Sequence, residues 1–155
     1  LIAGAATGKP FANPKSVQAT GQLCETGVDV WTAAVLSFEE GIVAQVATAI
    51  QLSLDNVARV YGTEGNITLA DPWTHNRTVG GTFTIKVNRY SGEKEDITLT
   101  TNVTAYTHEA DVFAQAVNGG KLEAASPAMT PADTIGNMRT LDQWRKAVGV
   151  TYVQD

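Results

Sequence analysis

The chain has 155 residues, 43% of them hydrophobic and 17% charged, with a formal net charge of −5. That balance reads as one ordinary globular domain, and at this size about 70% of the unfolded chain's surface can be buried without a metal or disulfide staple. Scattered acidic and basic residues exclude the concentrated basic face that nucleic acid requires and offer nothing to an anionic membrane, and no apolar run approaches the roughly 20 residues that span a bilayer.

Leu1 to Thr7 has helical character, with Gly8 as a stop and Pro10 just beyond it. Less than two turns is too short for a stable helix, so residues 1–8 are expected to be the tail end of a longer one. Ser16 to Cys24 carries a strand signal. Val28 to Phe38 alternates: Val28, Val30, Thr32, Ala34, Leu36 and Phe38 share one face, and Asp29, Trp31, Ala33, Val35 and Ser37 the other. A turn at Glu40-Gly41 leads into a second alternating run, Ile42 to Leu54, which completes a hairpin. Shorter strands are expected at Val57 to Tyr61, Asn66 to Leu69, Thr82 to Arg89 and Asp96 to Thr100, punctuated by Gly62-Thr63-Glu64-Gly65, Gly80-Gly81 and Ser91-Gly92.

The last third changes period. Tyr106, Ala110, Phe113, Ala116 and Val117 fall at helical spacing, closed by Asn118-Gly119-Gly120. Thr130-Pro131-Ala132-Asp133 opens another helix with a cap, a proline at the first position and an acid near the positive end of the dipole. Ile135, Met138, Leu141, Trp144 and Val148 form its apolar stripe, and Gly149 ends it. Strands first and helices last predict an α+β fold, a largely antiparallel open-faced sheet with helices packed on one face. Leu36, Phe38, Ile42, Val46 and Ile50 should lie under the helices. The opposite face, with Trp31, Ala33, Val35, Val43, Gln45, Ala47 and Ala49, carries few charges. A solvated sheet face is normally polar, so this one is expected to pack against another copy of the chain, most simply as a dimer.

Candidate chemistry is sparse. Gly62-Thr63-Glu64-Gly65 joins two strands, whereas a dinucleotide turn joins a strand to a helix. The two histidines, His75 and His108, come with no Cys/His cluster, so no metal site is expected. His108 begins a helix, where solvation or capping accounts for it. Cys24 is the single cysteine and reads as a small core residue. The Asn-x-Thr triplets at Asn66, Asn76 and Asn102 read as chance occurrences in a Thr-rich β protein, and a cytoplasmic location is expected. Trp73, after Asp71-Pro72, stands on a loop at a sheet end, where an aromatic either fills a hydrophobic gap or lines a pocket for an organic ligand. Tyr106 poses the same choice.

Glu25-Thr26-Gly27-Val28-Asp29, "AAVLSFEEGIVAQV" (33–46), "VYGTEGNITLADPW" (60–73), "AYTHEADVFAQAVNGGK" (105–121) and "TPADTIGNMRTLDQWRKAVGVTY" (130–152), in this order, resemble the C-terminal domain of the Gfo/Idh/MocA oxidoreductases, in the branch of the dimeric dihydrodiol dehydrogenases and related sugar dehydrogenases. The resemblance covers nearly the whole chain. It implies a single C-terminal domain over 1–155, preceded in the parent by a Rossmann domain that binds NAD or NADP and carries a Glu-Lys-Pro triplet. "LIAGAATGKPFANP" then resembles the end of the helix bearing the catalytic Tyr or His and the loop after it. Neither Gly8-Lys9-Pro10 nor Glu93-Lys94-Glu95 matches the triplet, so no catalytic or cofactor-binding residue is expected here, and the piece alone should hold no cofactor and turn nothing over. What the resemblance assigns is a wall of a small-molecule substrate pocket, with Trp73 first and Tyr106 and His75 next, and an oligomer contact through the open sheet face. The parent would oxidise or reduce a sugar, polyol or diol. The rival reading is a free-standing α+β domain that binds a small molecule or a protein without redox chemistry.

Overall fold

The computed structural model describes residues 1–9, 11–73, 79–125 and 127–152. Among these residues, three α-helices and seven strands follow the expected order: α1 (Ile2–Ala6), β1 (Ser16–Leu23), β2 (Asp29–Ser37), β3 (Val43–Ala49), β4 (Val57–Tyr61), β5 (Gly65–Ala70), β6 (Gly81–Arg89), β7 (Lys94–Thr101), α2 (Ala105–Asn118) and α3 (Pro131–Val148). The α+β class holds. The strands divide between two antiparallel sheets, β1-β2-β3 and β4-β5-β6-β7, and the chain forms two compact units, 1–54 with 123–155, and 55–122.

In the first unit β2 is the central strand. Val30, Thr32, Ala34 and Leu36 are all buried on one face, as the alternation requires. Helix α3 covers that face over β1 and β2. Its start is fixed by a capping box: the Thr130 side chain accepts from the Asp133 amide, and the Asp133 carboxylate accepts from the Thr130 amide. The bond from the Thr130 amide, with the bond from the Thr130 hydroxyl at 2.8 Å, holds the Asp133 carboxyl below the usual carboxylate range. Gly149 ends the helix in the left-handed conformation, φ 91°.

The surface that α3 turns to the sheet differs from the expected stripe. Gly136 is buried and Thr140, Trp144 and Val148 are half-buried, whereas Ile135, Met138 and Leu141 are exposed. Close approach selects this side. A Cβ on Gly136 would stand 2.8 Å from Asn13 Oδ1, and the Trp144 indole reaches down to donate to Thr32 Oγ1 at 2.8 Å. Thr32 Oγ1 in turn donates to the Thr20 carbonyl, so one relay joins α3, β2 and β1.

The β3 edge also departs from expectation. The strand stops at Ala49 because the amides of both Ile50 and Gln51 turn onto the single Val30 carbonyl, which ends the ladder. Val46 and Ile50 accordingly lie 37% and 75% exposed, beyond the cover of α3. The Glu40-Gly41 turn is a single 3₁₀ turn, Glu39–Gly41, with φ 59° at Glu40 and 76° at Gly41. Lys15 and Lys9 pair with Glu39 and Glu40 across it. Cys24 is half-buried in the turn that leaves β1 and does not enter the core. Its thiol lies within 3.0 Å of Thr26 Oγ1, and that contact lowers its pKa from the ordinary thiol value.

The second unit is a four-stranded meander. Gly62-Thr63-Glu64 closes the β4–β5 hairpin, with the Gly62 amide donating to the Gly65 carbonyl. Gly65 is required where it stands, because a Cβ there would collide with the Asn88 carbonyl of β6. Asn88 Nδ2 donates to Asn66 Oδ1 across the same pair of strands, which places Asn66 in a ladder. Helix α2 starts at a Thr104 cap that accepts from the Thr107 amide. None of its residues is buried, and Tyr106, Phe113 and Val117 remain 60%, 71% and 56% exposed. The expected apolar stripe of α2 is thus present and uncovered.

Candidate functional site

Antiparallel register brings the candidate residues of the second unit to one end of its sheet. Leu69 of β5 pairs with Ile85 of β6, Ala70 pairs with Val57, and Gly81 pairs with Thr101. The start of β4, the exit of β5, the entry to β6 and the exit of β7 therefore share an end. Asp71 leaves β5 in the left-handed region, φ 49°, which Asp tolerates better than most residues, while its amide donates to the Asn56 carbonyl at 2.6 Å. This sharp departure carries Pro72 and Trp73 off the strand. Trp73 is 61% exposed there.

On the neighbouring strands Gly80 lies so close to the β7 exit that a Cβ would collide with the Thr101 carbonyl and stand 2.7 Å from the Asn102 Cα. The chain then turns through Val103, whose amide donates to Thr101 Oγ1, into the Thr104 cap and Tyr106. His108 Nε2 and Thr101 Oγ1 are 3.1 Å apart. Trp73 and Tyr106 thus issue from the same sheet end, one from β5 and one from β7 through α2. His75 lies outside the described residues. The contribution of Thr101 and His108 was missed in the sequence, where His108 had been assigned to capping or solvent; a Thr at a strand end seven residues before a helical His was its only trace.

An exposed indole and a phenol at a sheet end suit an organic ligand with an apolar face and hydroxyl edges, since each ring offers both a flat surface and a polar tip. Cys24 and Asp133, whose titration is displaced, belong to the other unit and are held by local hydrogen bonds. Among the described residues no group of three or more His, Cys, Asp or Glu could hold a metal ion, and no helix is long and apolar enough to cross a membrane.

The other set of candidates lies in the first unit. Ala33 pairs with Ala47, Val35 with Gln45 and Ser37 with Val43, and alternation along β2 puts Trp31 on the same face. Val35 and Val43 are 38% and 60% exposed. Small side chains in the middle leave a shallow groove of about 520 Å³, lined by Thr20, Ala33, Val35, Gln45 and Ala47. Trp31 stands beside it with its indole donating to Gln22 Oε1 at 3.1 Å. All seven residues read as a contact surface in the sequence are on this one sheet.

No family model matches the chain. Among curated proteins it is similar to trans-1,2-dihydrobenzene-1,2-diol dehydrogenases: it is 33% identical over 146 residues to that of Xenopus tropicalis, covering 90% of this chain and 41% of the relative. To that of Sus scrofa it is 30% identical over 145 residues, covering 92% and 42%. The chain spans about 42% of the length of the curated relatives it matches. Among solved structures it shares its fold with a 3-ketoreductase from Actinomadura kijaniata in complex with TDP-benzene and NADP (TM-score 0.71, 21% identity, 93% of this chain and 43% of that one). It also shares it with an aldose-aldose oxidoreductase from Caulobacter crescentus complexed with glycerol (TM-score 0.69, 15% identity, 88% and 39%).

Proposed function

We propose that this chain, a homologue of the dihydrodiol dehydrogenases with the fold of Gfo/Idh/MocA oxidoreductases, is the C-terminal, substrate-side domain of an NAD(P)-dependent oxidoreductase that acts on a sugar, polyol or diol. The observation that carries this reading is similarity over 90% or more of this chain to relatives of more than twice its length. The whole protein would move a hydride between a substrate carbinol carbon and nicotinamide. Residues 1–155 act in it as one functional domain, with 1–8 as the end of a helix from the preceding part, and the protein works in the cytoplasm.

The nucleotide is not held by this chain. Its Gly62-Thr63-Glu64-Gly65 turn closes a β-hairpin between β4 and β5 and is not the strand–turn–helix in which a helix N-terminus meets a pyrophosphate. The part assigned to this chain is to bind and orient substrate at the four-stranded sheet's end, through Trp73 and Tyr106, with His75 as a further contact. Trp73 supplies a stacking face for the carbon skeleton, and the Tyr106 phenol exchanges hydrogen bonds with a hydroxyl.

The open face of the three-stranded sheet makes the homo-oligomer, most simply a dimer. Trp31, Ala33, Val35, Val43, Gln45 and Ala47 form its contact. Support comes from the low charge of this face and from the exposure of Val35 and Val43 beside a groove of small side chains.

Titrating the isotope-labelled chain with a panel of sugars, polyols and diols tests the substrate reading. Shifts confined to the Trp73 indole, Tyr106 and residues 79–81 and 101–104 are expected. NADP added alone should shift nothing. Saturable shifts elsewhere with that end silent, or tight NADP binding, would refute it.

A further inference from the structure

Helix α2 is joined to its sheet by remarkably little for an element that presents a substrate-side residue, and most of the join runs through one corner. None of its residues is buried. The corner between β7 and α2 is held on one side by Gly80, against which the Thr101 carbonyl and Asn102 backbone pack too closely for any side chain. On the other side, among the described residues, the side-chain hydrogen bond that ties α2 to a strand of its unit is His108 Nε2 to Thr101 Oγ1, at 3.1 Å. The Thr104 and Thr107 hydroxyls pair with each other within the cap.

We infer that His108 is a positioning residue: through Thr101 it fixes the angle at which α2 leaves the sheet, and so the place where Tyr106 stands. The chemistry of the pair suits a fixed strut. Thr101 Oγ1 already accepts from the Val103 amide at 3.3 Å, and its own proton has two acceptors in reach, His108 Nε2 at 3.1 Å and the Val103 carbonyl at 3.4 Å. With a neutral ring the hydroxyl donates to Nε2. With a charged ring, or the other neutral tautomer, Nε2–H donates to the oxygen and the hydroxyl proton turns to Val103. The strut survives both states of the ring. Tyr106 lies two residues before His108 in the same first turn, so a tilt of the helix about this corner displaces it directly.

That Tyr106 meets substrate rests on the proposed function; that His108 orients α2 does not, and backbone NMR of the chain separates the two. In the wild type, amides of 105–118 should be as ordered as those of β6 and β7, with order parameters of about 0.85, and share one alignment frame with them in residual dipolar couplings. His108→Leu removes both donor and acceptor: order parameters of α2 should fall toward about 0.6 and its couplings should leave the common frame, while 81–101 hold. Thr101→Val deletes the partner on a strand position that tolerates Val and should reproduce the effect, so a folding defect in one variant does not decide the matter. His108→Gln, whose amide reaches as far as Nε2, should restore the wild-type couplings. Unchanged α2 couplings in both His108→Leu and Thr101→Val would overturn the inference. Failure of every sugar or diol to shift Tyr106 in a chain whose α2 does respond would count against the substrate reading alone.

Discussion

Replacing Trp144 with Phe and Thr32 with Val, singly and together, tests whether the relay from α3 into the sheet holds the first unit together. Thr32 is only 5% exposed, and its hydroxyl accepts from the indole at 2.8 Å while donating to the Thr20 carbonyl at 3.1 Å. Trp144→Phe keeps an aromatic ring but removes the donor, at a cost of about 1 kcal/mol for the hydrogen bond beyond the lost ring area. Thr32→Val preserves shape but strands the indole N–H in a half-buried position and takes a donor from Thr20, which costs about 1–3 kcal/mol. The double variant has no stranded N–H. Its loss should therefore fall short of the sum by about 1 kcal/mol, the coupling expected for groups in direct contact. In urea, with a slope of about 2 kcal/mol/M, each single change lowers the midpoint by about 0.5–1.5 M and the pair falls short of additivity by about 0.5 M. Far-UV circular dichroism at neutral pH measures all four midpoints without relying on tryptophan fluorescence. Additivity within about 0.3 kcal/mol would refute the reasoning, because it would mean that the bond contributes nothing beyond its separate ends.

The depressed Asp133 carboxyl is a linkage prediction: a carboxylate held low in the fold stabilises above its unfolded value, near 3.9, and loses that contribution as pH falls through its folded value. Asp133→Asn should remove this acid-side slope, seen as converging wild-type and variant melting curves as pH drops below about 4; parallel curves would contradict it. For Cys24, Thr26→Ala should raise the midpoint of the pH–rate profile for alkylation by iodoacetamide, since the Thr26 hydroxyl bond is the first cause of the lowered thiol pKa. Trp31→Asp or Val35→Asp should convert a dimer into folded monomers by sedimentation, since an unpaired carboxylate in an apolar contact costs about 3 kcal/mol or more, about a hundredfold in dissociation constant; a dimer of unchanged affinity would remove this face from the contact. Gly80→Ala should lower stability, because its methyl has no space against the Thr101 carbonyl and Asn102, and a melting temperature equal to wild type would show that the corner yields.

Much of this architecture was legible in the linear chain because its causes are local. Alternation from Val28 to Phe38 arises from the pleat itself, and it located β2 and its two faces before any contact was known. The Thr130-Pro131-Ala132-Asp133 start and the Gly149 stop of α3 depend on bonds within four residues, and both stand where they were expected. The seven residues assigned to the open face follow from the same period of two. Even the candidate substrate end was partly readable, because Asp71-Pro72 must turn the chain and leave Trp73 outside the strand.

What only the tertiary structure decided are choices between surfaces that look alike in one dimension. Helix α3 has a greasier side, with Ile135, Met138 and Leu141, yet it packs through Gly136, Thr140, Trp144 and Val148. Hydrophobicity ranks the sides of a helix, but the fit of backbone against Asn13 and the reach of one indole to a buried hydroxyl choose between them. The early end of β3, the division of the strands into two sheets and the Thr101–His108 strut belong to the same class. Each depends on partners far apart in the chain or on the other side of a turn, where distance is set by packing and no local periodicity records it.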